Sequence, residues 1–324
     1  PAHDERDLEF WKKYHKQIGG FKVVIYPHEE MPAIFNTDSA YTGDGFMHNS
    51  GQFNGLKNIE AKEKITEFAP DYIGINMYTA TYKSAKNIAH IAKEISQDIK
   101  VIVGGTHPSL DPVSTLQSGK YDYVVIGEGE YKFLDLVNGK NHDQIPGIVY
   151  RDKNGQVILN SANSFIENLD LLPFPVRDGF LNDTENIDLS ALITARGCPF
   201  QCAYCVSPKI WKRKVRFRSV DNTLKELEYM RKNFDIKLVR FQDDTFTFNK
   251  QRAIAICNGI IERGLDFEWI CDTRVDRLDI ELLNIMKKAG CIRVKIGVES
   301  GSDKILKSIK KKITKKQVLK AVSA

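Results

Sequence analysis

The chain has 324 residues, 42% hydrophobic and 27% charged, with a net charge of +5. That length suggests about two domains with packed cores. No run of 18 apolar residues offers a membrane span, and the polar, charged stretch Pro1 to Gln17 carries no signal-peptide pattern. Six cysteines in a chain of this size are not a secreted disulfide framework.

The first half alternates strand and helix. Residues 21–26 read as a short strand, 58–68 as a helix and 71–77 as a buried strand. Residues 82–95 place Ala85, Ile88, Ile91 and Ala92 on one helix face. Residues 99–103 form another strand, ending in Gly104-Gly105, and a short helix is predicted near 112–117. A further strand at 121–126 ends in Gly127-Glu128-Gly129. Such alternation implies a parallel, doubly wound sheet whose ligands sit at the carboxyl ends of the strands.

Residues 138–190 differ in character. Lys153-Asn154-Gly155 between two apolar triplets signals a hairpin, and Leu171-Leu172-Pro173-Phe174-Pro175 reads as a proline-stiffened connector. The expected division is therefore 1–137, a hairpin and linker at 138–190, and 191–324. The last part alternates again, with strands at 192–197, 237–242, 267–273 and 292–298. Helices are expected at 221–233, 250–263 and 279–288, with Gly264 and Gly290 ending two of them. That is four strands of a βα barrel. Lys304 to Lys320 holds eight lysines and no acid, so taking those eight from +5 leaves −3 for the rest. This stretch reads as a solvated helix face, and a nucleic-acid partner is not expected.

Cys198, Cys202 and Cys205 are spaced CxxxCxxC after an apolar strand and Gly197. Three thiolates on one loop can hold three irons of a 4Fe-4S cluster and leave the fourth iron open. A structural zinc ion would need a fourth ligand, which a distant Cys or His would have to supply. Cys257, Cys271 and Cys291 lie in apolar stretches and read as reduced core residues. Polar groups also follow the later strands: Asp243 and Asp244, Arg274, and Glu299. They have the chemistry to meet the charged and polar groups of a ligand at a barrel mouth, or else to form a structural ion network. Lys212 to Arg218 reads as a solvated basic loop that could also meet an acidic partner or a bound small-molecule cofactor.

CxxxCxxC with Tyr204 before the third cysteine resembles the radical S-adenosylmethionine (SAM) superfamily. Upstream, Val103-Gly104-Gly105-Thr106-His107-Pro108 and Val125-Ile126-Gly127-Glu128-Gly129-Glu130 resemble the cobalamin-binding members of that superfamily. The hairpin phrase Ile145 to Tyr150 and the connector 171–175 agree. The resemblance covers roughly residues 57–324. It implies a Rossmann-like cobalamin-binding domain followed by a partial radical SAM barrel, in an α/β chain. It also implies three cofactors: a 4Fe-4S cluster on Cys198, Cys202 and Cys205, SAM, and cobalamin.

SAM would meet Tyr204, Asp243, Asp244, Arg274 and Glu299. Cobalamin would meet Tyr78, Thr79, Gly104, Gly105, Thr106, His107, Gly127, Glu128 and Gly129. The cobalt-ligating DxHxxG motif of many cobalamin proteins is not matched: Asp44 to Gly51 has HxxG but a misplaced aspartate, so His48 reads as a loop residue. Compared with a six-stranded barrel the chain reads as C-terminally truncated, and the family's first strand is expected to be absent before Val23.

The implied activity is cleavage of SAM to a 5′-deoxyadenosyl radical, for methyl transfer to an unactivated centre. Alternatives are a cyclase or rearrangement enzyme resembling the anaerobic porphyrin-ring cyclase, and a non-catalytic iron-sulfur electron-transfer module. The expected partners are a small-molecule or peptide substrate and a reductant such as flavodoxin or ferredoxin. The expected compartment is the cytoplasm.

Overall fold

The computed structural model describes residues 23–26, 54–161, 165–175, 190–234 and 236–323, with 23–26 and 54–60 described by backbone alone. His48 lies outside the described residues. The chain divides into two compact units, Pro1–Ile166 with Asp178–Ile187, and Glu167–Arg177 with Asp188–Ala324.

The first unit is a six-stranded sheet in chain order: β1 (Val23–Tyr26), β2 (Tyr72–Asn76), β3 (Lys100–Gly104), β4 (Tyr123–Val125), β5 (Ile148–Arg151) and β6 (Val157–Leu159). Strands β1 to β4 pair in parallel, and β5 pairs antiparallel with both β4 and β6. Between them run α1 (Asn54–Phe68), α2 (Tyr82–Ile95), α3 (Thr106–Leu110), α4 (Pro112–Ser118) and α5 (Glu130–Val137).

Strand side chains alternate between faces, and the helices cover both. Val101 and Val103 of β3 pack with Ala61 and Ile65 of α1, with Ile88 and Ala92 of α2, and with Leu116 of α4. Ile102, from the opposite face, packs with Leu136 and Val137 of α5. The hairpin predicted within the connector belongs instead to this sheet. Val124 registers with Val149, and Ile148 and Tyr150 of β5 join the α5 core.

The second unit holds four parallel strands in the order β12 (Cys291–Ile296), β11 (Glu268–Thr273), β10 (Leu238–Phe241), β7 (Ala191–Leu192). Helices α7 (Val220–Asn233), α8 (Lys250–Glu262) and α9 (Ile280–Lys288) alternate with them, as the apolar periodicity predicts. Their inner faces carry Leu224, Leu227, Ile256, Cys257, Leu282 and Met286, around Phe241, Trp269 and Cys271. Cys257 and Cys271 are buried and Cys291 half-buried, and all three are free thiols.

The strand expected at 192–197 is split. The chain leaves the parallel sheet after Leu192, and β8 (Ala195–Arg196) pairs antiparallel with β9 (Arg216–Phe217). A short helix, α6 (Ser207–Ile210), lies between β8 and β9, and α10 (Asp303–Ser308) and α11 (Lys315–Ser323) follow β12.

Three helices of the second unit begin on side-chain caps: Ser219 accepts from Asn222 N, Asn249 from Arg252 N and Asp279 from Leu282 N. Asp279 also pairs with Lys250 at 2.7 Å. Lys250 first, and the Leu282 amide second, hold its carboxyl below the usual aspartate range. A depressed folded-state value contributes stability that is complete above the unfolded value of about 3.9 and is lost as pH falls through the folded value. Asp279→Ala should therefore cost about 1 kcal/mol at pH 7, and progressively less as pH falls below about 4. Denaturant unfolding of both proteins across that range measures it.

Candidate functional site

The parallel register brings the strand ends of the second unit level. Leu192 lies beside Phe241, Phe241 beside Cys271, and Thr273 beside Ile296. Residues just beyond these ends line one open cavity of about 280 Å³. Its walls include Cys198, Cys202 and Cys205, together with Tyr204, Asp244, Arg274, Glu299 and Lys311. The volume is close to the lower end of small-molecule pockets, roughly 300 Å³.

Among the described residues, no three His, Cys, Asp or Glu side chains close around a single-ion position. Three thiolates bonded to three different irons need not do so. The donor set fits a cluster: three half-buried free thiols on one loop, facing a cavity that also holds cationic groups.

Gly197 gives the chain its turn into this loop. Its φ is +101°, and a Cβ there would stand 2.0 Å from the Lys214 carbonyl oxygen. The loop is then gripped by a layer of rings and cations. Phe200 carries the Arg274 guanidinium 3.7 Å over its ring and meets Phe248 edge-on at 6.0 Å.

Arg274, almost fully buried, donates Nε to Asp276 at 2.9 Å and Nη2 to the Lys311 carbonyl at 2.7 Å. Its Nη1 points to Cys202 Sγ at 3.7 Å. The guanidinium predicted to meet a ligand carboxylate is thus largely committed to the protein.

Asp243 and Asp244, undivided in the sequence, face different ways. Asp243 lies outside the cavity wall and is fully buried. It accepts from Thr194 N at 2.6 Å, from Thr194 Oγ1, and from Ala195 N at 3.0 Å. Burial pushes its carboxyl up, against those donors and Arg252. Asp244 lines the cavity and accepts from Ser207 Oγ at 2.8 Å, and burial raises its carboxyl too.

Glu299 stands at φ +66°, a left-handed conformation uncommon outside Gly, Asn and Asp. Its Oε1 accepts from Lys311 Nζ at 2.8 Å, and Lys311 holds the carboxyl below the ordinary glutamate range. Lys311 Nζ also donates to the Tyr204 hydroxyl at 3.0 Å. Burial, then the Glu299 carboxylate, pushes that phenol up. A Cβ at Gly297 would sit 2.6 Å from Glu299 Oε1 and 2.8 Å from Lys311 Nζ, so glycine makes room for the pair.

Lys311 is 5% exposed, although the sequence places it in a run of lysines read as a solvated face. Composition hides it; only its position a dozen residues after a strand-end glutamate hinted otherwise.

In the first unit the ends of β2, β3 and β4 form a ledge. Thr79 Oγ1 and His107 Nδ1 are 3.0 Å apart, and the Tyr82 ring meets His107 edge-on at 5.2 Å. Tyr78 is exposed at the same rim, and Thr106 opens α3. Above Gly127 a Cβ would meet only Lys132 Nζ at 3.9 Å, and at Gly129 only Val125 Cγ1 at 3.7 Å. That open space beside small residues and a polar rim suits a bulky ligand lying on the strand ends.

A Cβ at Gly104 would make only ordinary contact with Val125. Gly105 is required for a reason internal to the sheet: at φ +102°, its Cβ would stand 2.2 Å from Asn76 Oδ1 and under 3 Å from the Met77 backbone. Glu128 is buried and accepts from the Ile166 amide at 2.8 Å, so it ties the end of β4 to the connector.

The Radical SAM superfamily model matches residues 192–324, and the B12 binding domain model matches 56–137. A leucyl-tRNA synthetase editing-domain model matches 1–70, most of which lies outside the described residues.

An uncharacterized methyltransferase of Pyrococcus horikoshii is 36% identical over 80% of this chain and 58% of its own length. The anaerobic magnesium-protoporphyrin IX monomethyl ester cyclase of Rubrivivax gelatinosus is 30% identical over 83% of this chain and 51% of its own. The chain therefore spans between half and three-fifths of the length of these relatives. Among solved structures, the cobalamin-dependent SAM radical enzyme OxsB, with aqua-cobalamin and SAM bound, superposes with a TM-score of 0.70 at 26% identity. It covers 83% of this chain and 41% of that one.

Fold, site and kinship together define an α/β protein with a B12-binding domain followed by a radical SAM domain. The chain belongs to the cobalamin-dependent radical SAM family, whose cofactors are a 4Fe-4S cluster, SAM and cobalamin.

The two kinds of glycine can be separated without any ligand. Gly105→Ala should cost at least about 1–2 kcal/mol for its left-handed backbone alone, plus the collision with β2. Gly129, at φ −96°, should tolerate Ala within about 0.5 kcal/mol. Chemical denaturation of the cofactor-free proteins compares them.

Proposed function

We propose that the protein is a cobalamin-dependent radical SAM enzyme that transfers a methyl group to an unactivated centre of a small molecule or peptide. The observation carrying this reading is one cavity lined by the three loop cysteines, the Glu299–Lys311 pair and Tyr204, in a chain whose first unit presents open strand ends. When bound, the cluster supplies the electron that cleaves SAM to a 5′-deoxyadenosyl radical, and cobalamin carries the methyl group.

The chain's own residues bind and orient these groups. Cys198, Cys202 and Cys205 hold three irons. Glu299, kept ionised by Lys311, accepts from the ribose or amino group of SAM, with Asp244 as a second acceptor. Lys311 supplies positive charge where the SAM carboxylate must be balanced. Arg274 acts from behind, fixing Phe200 and the Lys311 backbone. Asp243 fixes the strand beneath the cysteine loop.

Tyr78, Thr79, Thr106 and His107 form the rim for cobalamin, Gly127 and Gly129 leave room for it, and Gly104, Gly105 and Glu128 shape the backbone below. A one-electron donor such as flavodoxin or ferredoxin completes the system. A reducing cytoplasm suits its cluster, and among the described residues no helix is long and apolar enough to cross a membrane. Ring closure is the second reading, favoured by the 30% identity to the Rubrivivax cyclase.

Anaerobic reconstitution with iron, sulfide and cobalamin, followed by SAM and reductant, should release 5′-deoxyadenosine. A full cluster that never cleaves SAM would return the protein to an electron-transfer role. In the same preparation Lys311→Met should keep its iron but bind SAM about 10- to 100-fold more weakly, the loss of a charge-assisted hydrogen bond of about 1.5–3 kcal/mol. Unchanged SAM affinity would assign the Lys311–Glu299 pair to structure alone.

A further inference from the structure

Six non-glycine residues among those described adopt positive φ, and four of them are Lys212, Arg213, Lys310 and Lys312. All four are exposed. They occupy two turns, and both turns are bonded to the cysteine loop. Arg213 Nε donates to the carbonyl of Pro199, the residue after Cys198, at 3.2 Å. Ala203, the residue after Cys202, donates its amide to the carbonyl of Ile309 at 2.8 Å. The first turn is also pressed onto Gly197, where no Cβ would fit beneath the Lys214 carbonyl.

The second turn ends α10, with the Lys310 amide bonded to Lys307 O and the Lys311 amide to Leu306 O. Glycine is the usual occupant of such a helix-ending position, yet this chain places lysine there. Among the described residues none of the four basic side chains is ion-paired, whereas neighbouring Lys214 holds Glu167 at 2.5 Å. The sequence between Asp188 and Asp221 contains seven Lys and Arg and no acid.

We infer that these two turns form a basic collar around the outside of the cluster loop, and that it docks an acidic one-electron carrier protein. Outside this stretch and the Lys304–Lys320 run the chain is acidic: removing both from the +5 total takes away 15 positive charges and leaves −10. Long-range attraction is therefore concentrated where an electron has to enter. Exposed like charges on a rigid frame steer a partner of opposite sign and raise its association rate, with strong salt dependence. The transfer moves one electron from the carrier to the oxidised cluster and forms or breaks no bond. A nucleic acid would meet the same charges, but nothing in that partner accounts for their attachment to residues 199 and 203.

The inference rests on the cluster reading of the cysteines, and the test separates the two. Lys212, Arg213, Lys310 and Lys312 are replaced together by Asn, which keeps left-handed backbone accessible. A second variant replaces only the three lysines and retains the Arg213 bond. Stopped-flow reduction of the reconstituted cluster by reduced flavodoxin is followed at several salt concentrations, beside photoreduction by a neutral deazaflavin.

Wild-type reduction by flavodoxin should slow steeply with salt. Both variants should be slower at low salt, by about tenfold or more for the fourfold change, with a flattened salt dependence and unchanged photoreduction. Retention of the cofactor-free proteins on immobilised flavodoxin should follow the same order. The inference is overturned if the variants match wild type in rate and salt dependence, or if photoreduction slows equally. It is also overturned if only retention on immobilised RNA is lost. A wild type that takes up no cluster overturns the functional reading instead, while retention on flavodoxin still decides the docking.

Discussion

The carboxylate of Asp243 is enclosed by protein and accepts hydrogen bonds from Thr194 and Ala195, two consecutive residues that have just left the parallel sheet. A strand that departs from its sheet leaves amides without ladder partners, and a buried unpaired amide is costly. Asp243 meets that need from the end of the neighbouring strand, while Arg252 holds the Thr194 carbonyl at 2.9 Å and its hydroxyl at 3.0 Å. Both side chains become part of one charge-balanced knot. The knot lets β7 stop at Leu192 and β8 start in a new direction. The new direction, with the turn at Gly197, presents the cysteine loop to the cavity. The aromatic and cationic layer on Phe200, and the bonds from Pro199 and Ala203 to the basic turns, depend on that placement.

The far wall of the cavity has a related design. Glu299 holds a backbone conformation that stability alone would not select, and Gly297 gives up a side chain so that Glu299 and Lys311 can meet. Local strain of this kind persists where surrounding structure over-determines it and tends to accompany function. Lys311 joins two tasks: its ammonium orders Glu299 and Tyr204, and its carbonyl receives Arg274. The segment after α10 is therefore a wall of the site rather than a tail.

Much of this was legible in the sequence. Helices α2, α7, α8 and α9 and strands β2, β3, β10 and β11 follow from apolar periodicity and capping residues, because their buried faces are continuous. The cysteine spacing pointed to the loop, and strand-end polar residues pointed to the cavity. Three features were not legible, each for a physical reason. The break between Leu192 and Ala195 is imposed by a carboxylate 49 residues away from Thr194, and no local pattern records it. Asp243 and Asp244 are adjacent and identical in type, and only the strand's facing separates the buried clamp from the cavity wall. Lys311 is one of eight lysines in a run, and only tertiary packing distinguishes the buried one from its solvated neighbours. The hairpin at 148–159 is legible as a hairpin, but its place in the sheet is not, because pairing of β4 with β5 is a long-range event.

The claim that the buried carboxylate delivers the cysteines can be tested on a single variant. Asp243→Asn preserves size but replaces one acceptor oxygen with a donor facing Thr194. Iron and sulfide content after anaerobic reconstitution is measured beside the circular dichroism of the same sample. The account predicts retained secondary structure with cluster content well below wild type. A fully loaded cluster with wild-type SAM binding in Asp243→Asn would contradict it.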